Sequence, residues 1–206
     1  SNSTMINILS HIVEFRNGES GMHVLHIQTA TDILLHTLVQ KTDKYHLTAA
    51  DISLISTASA LHDIGKINIP ESILNKPCRL TKEEFEVMKT HTTIGSEILE
   101  KLPFQQESDL VKTAYAICRW HHERWDGRGY PDGLEGEQIP IAAQVVSMAD
   151  VYDALTSERC YKKAFDHDTA VKMILNGECG QFNPLLLECL QEIGDRLAEA
   201  LRAPEK

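Results

Sequence analysis

The chain has 206 residues, and 30 Asp and Glu against 20 Lys and Arg leave a formal net charge of −10 at pH 7. That balance disfavours a grip on the phosphate backbone of DNA or RNA, which draws on clustered Lys and Arg. Hydrophobic residues at 42% and charged residues at 24% suffice for one buried core, and no apolar run reaches membrane-spanning length, so membrane insertion is not expected.

In chain order, the opening SNSTMINILS has neither the basic region nor the small-residue cleavage site of a secretory signal. Residues 1–18 read as a lead-in helix or a remnant of an expression vector, and 19–206 as one domain. The pattern is helical almost throughout, so the expected fold class is all-α, a single helical bundle. Helices are expected at roughly 5–16 and 19–41, and then on a segment opened by a capping-box pattern, Thr48 to Asp51, that carries Ile52, Ile55 and Ser59 on to His62. A second box, Thr81 to Glu84, leads through Phe85 and Met88 toward His91. Further helices fall at roughly 107–122, 142–156, 168–177 and 184–202, the last opened by Asn183 and Pro184 as a cap and first-turn pair. Pro70 and Pro77 mark a loop near 65–80, and Gly127, Gly129, Pro131, Gly133, Gly136 and Pro140 mark another near 123–141. The second is no dinucleotide fingerprint, because no strand precedes it. The five cysteines, odd in number and without C-x-x-C spacing, read as reduced thiols in a cytoplasmic protein.

Several short stretches can carry chemistry. In LHDIGK, His62 and Asp63 diverge by about 100° on a helix, so Asp63 can bridge two cations while Lys66 shares its face. The same letters also describe a plain helix C-terminus, with Gly65 past the end and Lys66 answering the dipole. In ESGMHVLH, Glu19 and His23 are four apart, the spacing of paired ligands on one helix face and equally of an ordinary surface pair, with His26 three further on. His91 suits a cap or a partly buried imidazole as well as a ligand. His121 and His122 follow an apolar stretch and place two imidazoles at a helix end. Asp150 and Asp153 lie on a small, apolar helix, where an inward carboxylate needs a partner. Glu19, His23, His62, Asp63, His91, His121, His122 and Asp150 make five imidazoles and three carboxylates, too many for one ion. Nitrogen and oxygen ligation without sulfur suits iron, manganese, zinc or nickel, and centres of two or three such ions serve phosphate-ester hydrolysis.

The ordered set H…HD-x-GK…H…HHE-x-x-DG-x-GYP…D, spread over residues 19–190, closely resembles the HD-GYP subgroup of the HD-domain phosphohydrolases, bacterial enzymes that hydrolyse cyclic dinucleotides, chiefly cyclic di-GMP. The resemblance implies that His62, Asp63, His91, His121, His122 and Asp150 ligate metal, with Asp63 bridging. It implies that Glu19 and His23 add the ligands of a trinuclear centre, with iron or manganese favoured and zinc or nickel the alternatives. Lys66 matches the lysine beside the metals, and Arg159 and Lys162 match the basic pair that contacts the dinucleotide. The implied activity is a cyclic di-GMP phosphodiesterase giving linear pGpG, with onward cleavage to GMP linked to three metals. A hydroxide held between two metals would attack phosphorus as the ribose 3′ oxygen leaves. The alternative is a metal-loaded receptor, or a module docking a GGDEF-type cyclase through the GYP loop, without turnover. An HD phosphohydrolase of ordinary nucleotides would not need the HHE-x-x-DG-x-GYP segment. Three positions depart from the subgroup pattern: His26 where arginine is usual, Cys160 in place of a proline, and Asn183 in place of an aspartate. The 18 residues ahead of Glu19 hold no sensor domain, so control would come from a longer regulator of which this is a fragment or from outside, and oligomeric state stays open.

Overall fold

The computed structural model describes residues 2–18, 21–103, 107–159 and 162–202, and among them every regular element is a helix. The α-helices are α1 (Asn2–Arg16), α2 (His23–Lys41), α3 (Ala49–Ala58), α4 (Glu71–Leu74), α5 (Lys82–Lys89), α6 (His91–Glu100), α7 (Asp109–Trp120), α8 (Ile141–Thr156), α9 (His167–Leu175), α10 (Pro184–Ile193) and α11 (Asp195–Arg202). Short 3-10 turns span Ser59–Leu61, Ile64–Asn68 and Gly136–Gln138. No described helix is long and apolar enough to cross a membrane.

The core forms around α2, whose Ile27, Ala30, Leu34, Leu35 and Leu38 are fully buried against α3, α8, α10 and α11. Those positions repeat every three or four residues, so one stripe of α2 faces each neighbour in turn. The three sequence caps form as expected. Thr48 and Asp51 close a full capping box, as do Thr81 and Glu84, and Asn183 Oδ1 accepts from Leu185 N at 3.0 Å ahead of Pro184. Asn183 also donates its amide to Gln144 at 3.0 Å and Tyr45 at 2.8 Å. An aspartate has no such donors, which is the local reason for asparagine here.

Several boundaries differ from expectation, each for a visible reason. The helix expected from 19 begins at His23, because Gly21 takes φ +85° and Met22 is the cap residue. Glu19, and with it the helical face expected to be shared with His23, lies outside the described residues. The segment expected to end at His91 instead starts a new helix there, α6. The helix expected over 184–202 is two helices, divided at Gly194, φ +58°. Within the expected loop near 65–80, residues Ile64–Asn68 and Glu71–Leu74 are helical.

The lead-in helix α1 is part of the fold. Ile6, Ser10, Val13 and Glu14 are buried. Glu14 Oε1 accepts from the Val24 amide at 2.8 Å, supplying a carboxylate to the open N-terminus of α2. Arg16 donates to the carbonyls of Lys66 at 2.7 Å and Ile69 at 2.8 Å. Its outer face leaves Met5, Ile8, Leu9, Ile12 and Phe15 exposed.

Candidate metal centre

Four structural devices deliver the site. The first is the end of α3, where the chain tightens into the 3-10 turn Ser59–Leu61 and passes His62 and Asp63 into a second turn. Gly65 makes this possible: a Cβ there would lie 1.9 Å from the His91 carbonyl oxygen and 2.6 Å from Gly95 N. The glycine is needed for close approach of the turn to α6, not for a left-handed helix end. The second device is the start of α6, which presents His91 across that contact. The third is the C-terminus of α7, where His121 is the cap residue and His122 follows. The fourth is the pair α2 and α8, which bring His23 and Asp150 to the same cavity.

The donor atoms form two groups, each within 4.8 Å of one another: His23, His62, Asp63 and Asp150 in one, and His91, His121 and His122 in the other. Asp63 joins them with its two oxygens. Oδ2 lies 3.2 Å from His62 Nε2 and 3.1 Å from Lys66 Nζ, whereas Oδ1 lies 3.2 Å from His91 Nε2 and 3.5 Å from His121 Nε2. Asp150 Oδ1 completes the first group, 3.3 Å from His23 Nε2 and 3.6 Å from His62 Nε2.

The outer nitrogens explain why the inner ones face inward. His62 Nδ1 donates to Ser59 O at 2.8 Å, His91 Nδ1 to Met88 O at 2.7 Å, and His121 Nδ1 to Ile117 O at 2.8 Å. His23 Nδ1 donates to Asp153 Oδ2 at 2.6 Å. A proton fixed on Nδ1 leaves the Nε2 lone pair for a metal, the usual outer support of a ligating histidine. This donor set fits divalent transition ions: converging imidazole nitrogens and carboxylate oxygens, with no sulfur among them.

The electrostatics divide along the same line. Burial pushes His121 and His122 down, His122 well below the ordinary range with neighbouring imidazoles adding to the effect. Burial would also lower His62, but Asp63 and Asp150 outweigh it and raise it to about 10. Burial would raise both carboxylates, yet His62 and Lys66 hold Asp63 well below its ordinary value, and hydrogen bonds from His23 and His62 do the same for Asp150. The carboxylate group thus draws positive charge to itself, which a bound cation satisfies.

Asp153 and Glu123 carry parts of the site that sequence reasoning left without a role. Asp153, 2% exposed, holds His23 with one oxygen and His26 with the other, at 2.7 Å. Burial would raise its carboxyl, but the two imidazoles lower it to about 2. The signal was present, since Asp150 and Asp153 stand three apart on one helix. His26 thus has a buried carboxylate as its partner. Glu123 is buried and accepts from the amides of Asp132 at 3.0 Å, Gly133 at 3.2 Å and Leu134 at 2.9 Å. It therefore folds the GYP loop back under the histidine pair. Gly129 is required there, because a Cβ would meet the His122 carbonyl at 2.4 Å. Tyr130 then lies flat on His122, centroids 4.8 Å apart and planes at 12°.

Arg159 and Lys162 pair through their backbones, at 2.9 Å and 3.1 Å, in a tight turn after α8. Lys162 Nζ donates to the carbonyls of Leu155, at the end of α8, and Lys163, each at 3.2 Å, and stands over the Phe165 ring. Cys160 lies outside the described residues.

Residues 5–184 match the HD domain family. A cyclic di-GMP phosphodiesterase of Vibrio cholerae is 41% identical over 191 residues, covering 91% of this chain and 39% of that protein. A 3′3′-cGAMP-specific phosphodiesterase 2 of the same organism is 36% identical, covering 95% of this chain and 35% of that protein. The chain thus spans less than half the length of these curated relatives. Among solved structures, an HDG"Y"P protein from Bdellovibrio bacteriovorus superposes with a TM-score of 0.62 at 21% identity, over 84% of this chain and 53% of that one, and shares the fold. The chain belongs to the HD domain family.

Proposed function

We propose that the chain is a metal-dependent phosphodiesterase that hydrolyses cyclic di-GMP to linear pGpG. The observation that carries this reading is Asp63, whose two oxygens are divided between two imidazole groups, as a ligand shared by two cations requires. The relatives' names supply the substrate class, cyclic dinucleotides. His62, Asp63 and Asp150, with His23, would hold one ion, and His91, His121 and His122, with Asp63, would hold the other; Glu19 and His23 would add ligands for a third. Iron and manganese are the favoured ions, since the ligands are imidazole and carboxylate.

When bound, the ions supply an acidified water as nucleophile and offset charge on the phosphoryl oxygens. The chain's own residues orient the substrate. Lys66, 3.1 Å from Asp63, is the cation that steadies a phosphate oxygen and meets the departing ribose 3′ oxygen. Arg159 and Lys162 form the positive turn that receives the rest of the dinucleotide. A GGDEF-type cyclase would meet the GYP loop through Arg128, which is exposed, because Tyr130 is turned inward onto His122. The described cysteines are unpaired, which supports a reducing, cytoplasmic setting.

The test is anaerobic purification with metal quantification, followed by incubation with cyclic di-GMP and chromatographic separation of pGpG from GMP. Two or more ions per chain and chelator-sensitive pGpG are expected. Full metal loading with tight binding and no product would make the chain a receptor instead. Unchanged metal content and pGpG turnover in Glu19→Ala would remove the third-ion extension.

A further inference from the structure

The rim of the cavity beside His122 is aromatic. On α5, Phe85 and Lys89 stand four apart and share a face. No residue of α5 is buried, and Phe85 is 46% exposed, a large ring left in water on a strongly charged helix. It meets Tyr130 edge-on, with centroids 6.3 Å apart and planes at 85°. Lys89 Nζ stands over both rings, 5.4 Å from the Phe85 centroid and 5.3 Å from that of Tyr130. Because Tyr130 is itself stacked on His122, a continuous row of rings runs from the metal centre to solvent. Tyr130 also feels the charges of Asp63 and Asp150, which places its ring within electrostatic reach of the cavity.

We infer that Phe85, braced by Tyr130 and Lys89, is a stacking platform for a purine base of the substrate. This deepens the phosphodiesterase reading and rests on it for the substrate class. A nucleotide whose phosphate lies at the metal centre must send its base to one side of the cavity. On the side of His122, the rim carries the half-exposed ring of Phe85, with the Lys89 ammonium near one of its faces. Every base has a π face, and aromatic side chains exploit it without needing sequence-specific hydrogen bonds. Lys89 also pairs with Glu86 at 2.8 Å, a contact that limits the freedom of the ammonium beside the rings.

The experiment compares GMP with ribose 5-phosphate, which keeps the phosphate and sugar and lacks the base, as ligands of the metal-loaded chain by titration calorimetry. GMP is expected to bind the wild type about tenfold more tightly. Phe85→Ala is expected to abolish that ratio by weakening GMP alone, Phe85→Leu to do the same while retaining an apolar contact for Tyr130, and Phe85→Trp to restore it. Equal binding of the two ligands by the wild type, or an unchanged ratio in both Phe85→Ala and Phe85→Leu, overturns the platform. Cyclic di-GMP turnover is measured on the same samples. A chain that does not cleave it but still shows the base-dependent ratio loses the enzyme reading and keeps the platform, whereas cleavage without the ratio does the reverse.

Discussion

The two halves of the candidate metal centre solve the same problem with opposite electrostatics. On one side His91, His121 and His122 are drawn from the start of α6 and the end of α7, and burial lowers the proton affinity of His121 and His122. On the other, His23 and His62 face Asp63 and Asp150, whose charges raise His62 to about 10. An ion entering the imidazole half meets His121 and His122, whose hold on a proton burial weakens. An ion entering the carboxylate half must displace a proton from His62, and gains two anionic oxygens in return. Asp63 alone belongs to both halves.

The largest predicted effect therefore comes from Asp63→Ala, which removes the shared ligand. Metal content should fall for both ions together and phosphodiesterase activity should drop to background. Retention of one full equivalent would show that the halves are independent. His122→Ala and Asp150→Asn come next, because each touches one half. Each should leave about one ion per chain, and the ion that remains in His122→Ala should be the more pH-sensitive, its binding weakening as pH falls. Equal pH profiles for the two variants would erase the electrostatic distinction.

A smaller effect is expected at Asp153, which touches no ion but fixes the His23 ring. Asp153→Asn should reduce affinity by roughly 10- to 100-fold for one ion only. Both ions should still bind at saturation, and His91→Ala combined with Asp153→Asn should depart from additivity, since Asp63 links the two sites. Loss of both ions in Asp153→Asn would mean that the residue supports the fold rather than His23.

What the sequence made legible was whatever depends on spacing within one helix or on a local cap. The Thr48 and Thr81 capping boxes and the Asn183 cap form as read, and the histidine pair does stand at the end of α7. The departures arise where a glycine acts through its surroundings. Gly21, just ahead of α2, and Gly194, at the end of α10, adopt positive φ where the apolar spacing alone suggests a continuing helix. Gly65 resembles a helix-end residue and is in fact a contact point with α6, which only tertiary structure can show. The partners of the buried carboxylates were hidden for the same reason: Asp153 reaches His23 across 130 positions, whereas the ligands themselves were marked by residue type. The helix α1 was undervalued because Glu14 and Arg16 act on backbone groups of distant segments, which leave no trace in side-chain pattern.

The smallest predicted effect lies outside both halves, at the anchor that closes the GYP loop beneath the imidazole half. Asp132 accepts from Arg119 Nε at 2.7 Å and Nη2 at 3.0 Å, and from Trp120 Nε1 at 2.7 Å. Those bonds, Arg119 first, hold its carboxyl below 3.8 even though burial opposes them. A carboxyl depressed in the folded state contributes stability that is fully present above its unfolded value and is lost as pH falls through its folded one. Because Asp132 and Arg119 are 33% and 25% exposed, the contribution is that of a screened surface pair, under about 1 kcal/mol. Asp132→Asn should accordingly be slightly less stable than the wild type at pH 7, and the gap should narrow as pH falls below the ordinary carboxylate range. Denaturant titrations followed by tryptophan emission read both quantities, since Trp120 reports on the lost bond directly. A gap that stays constant to pH 3 would mean that Glu123, with its three amide donors, closes the loop without help from the Arg119–Asp132 pair.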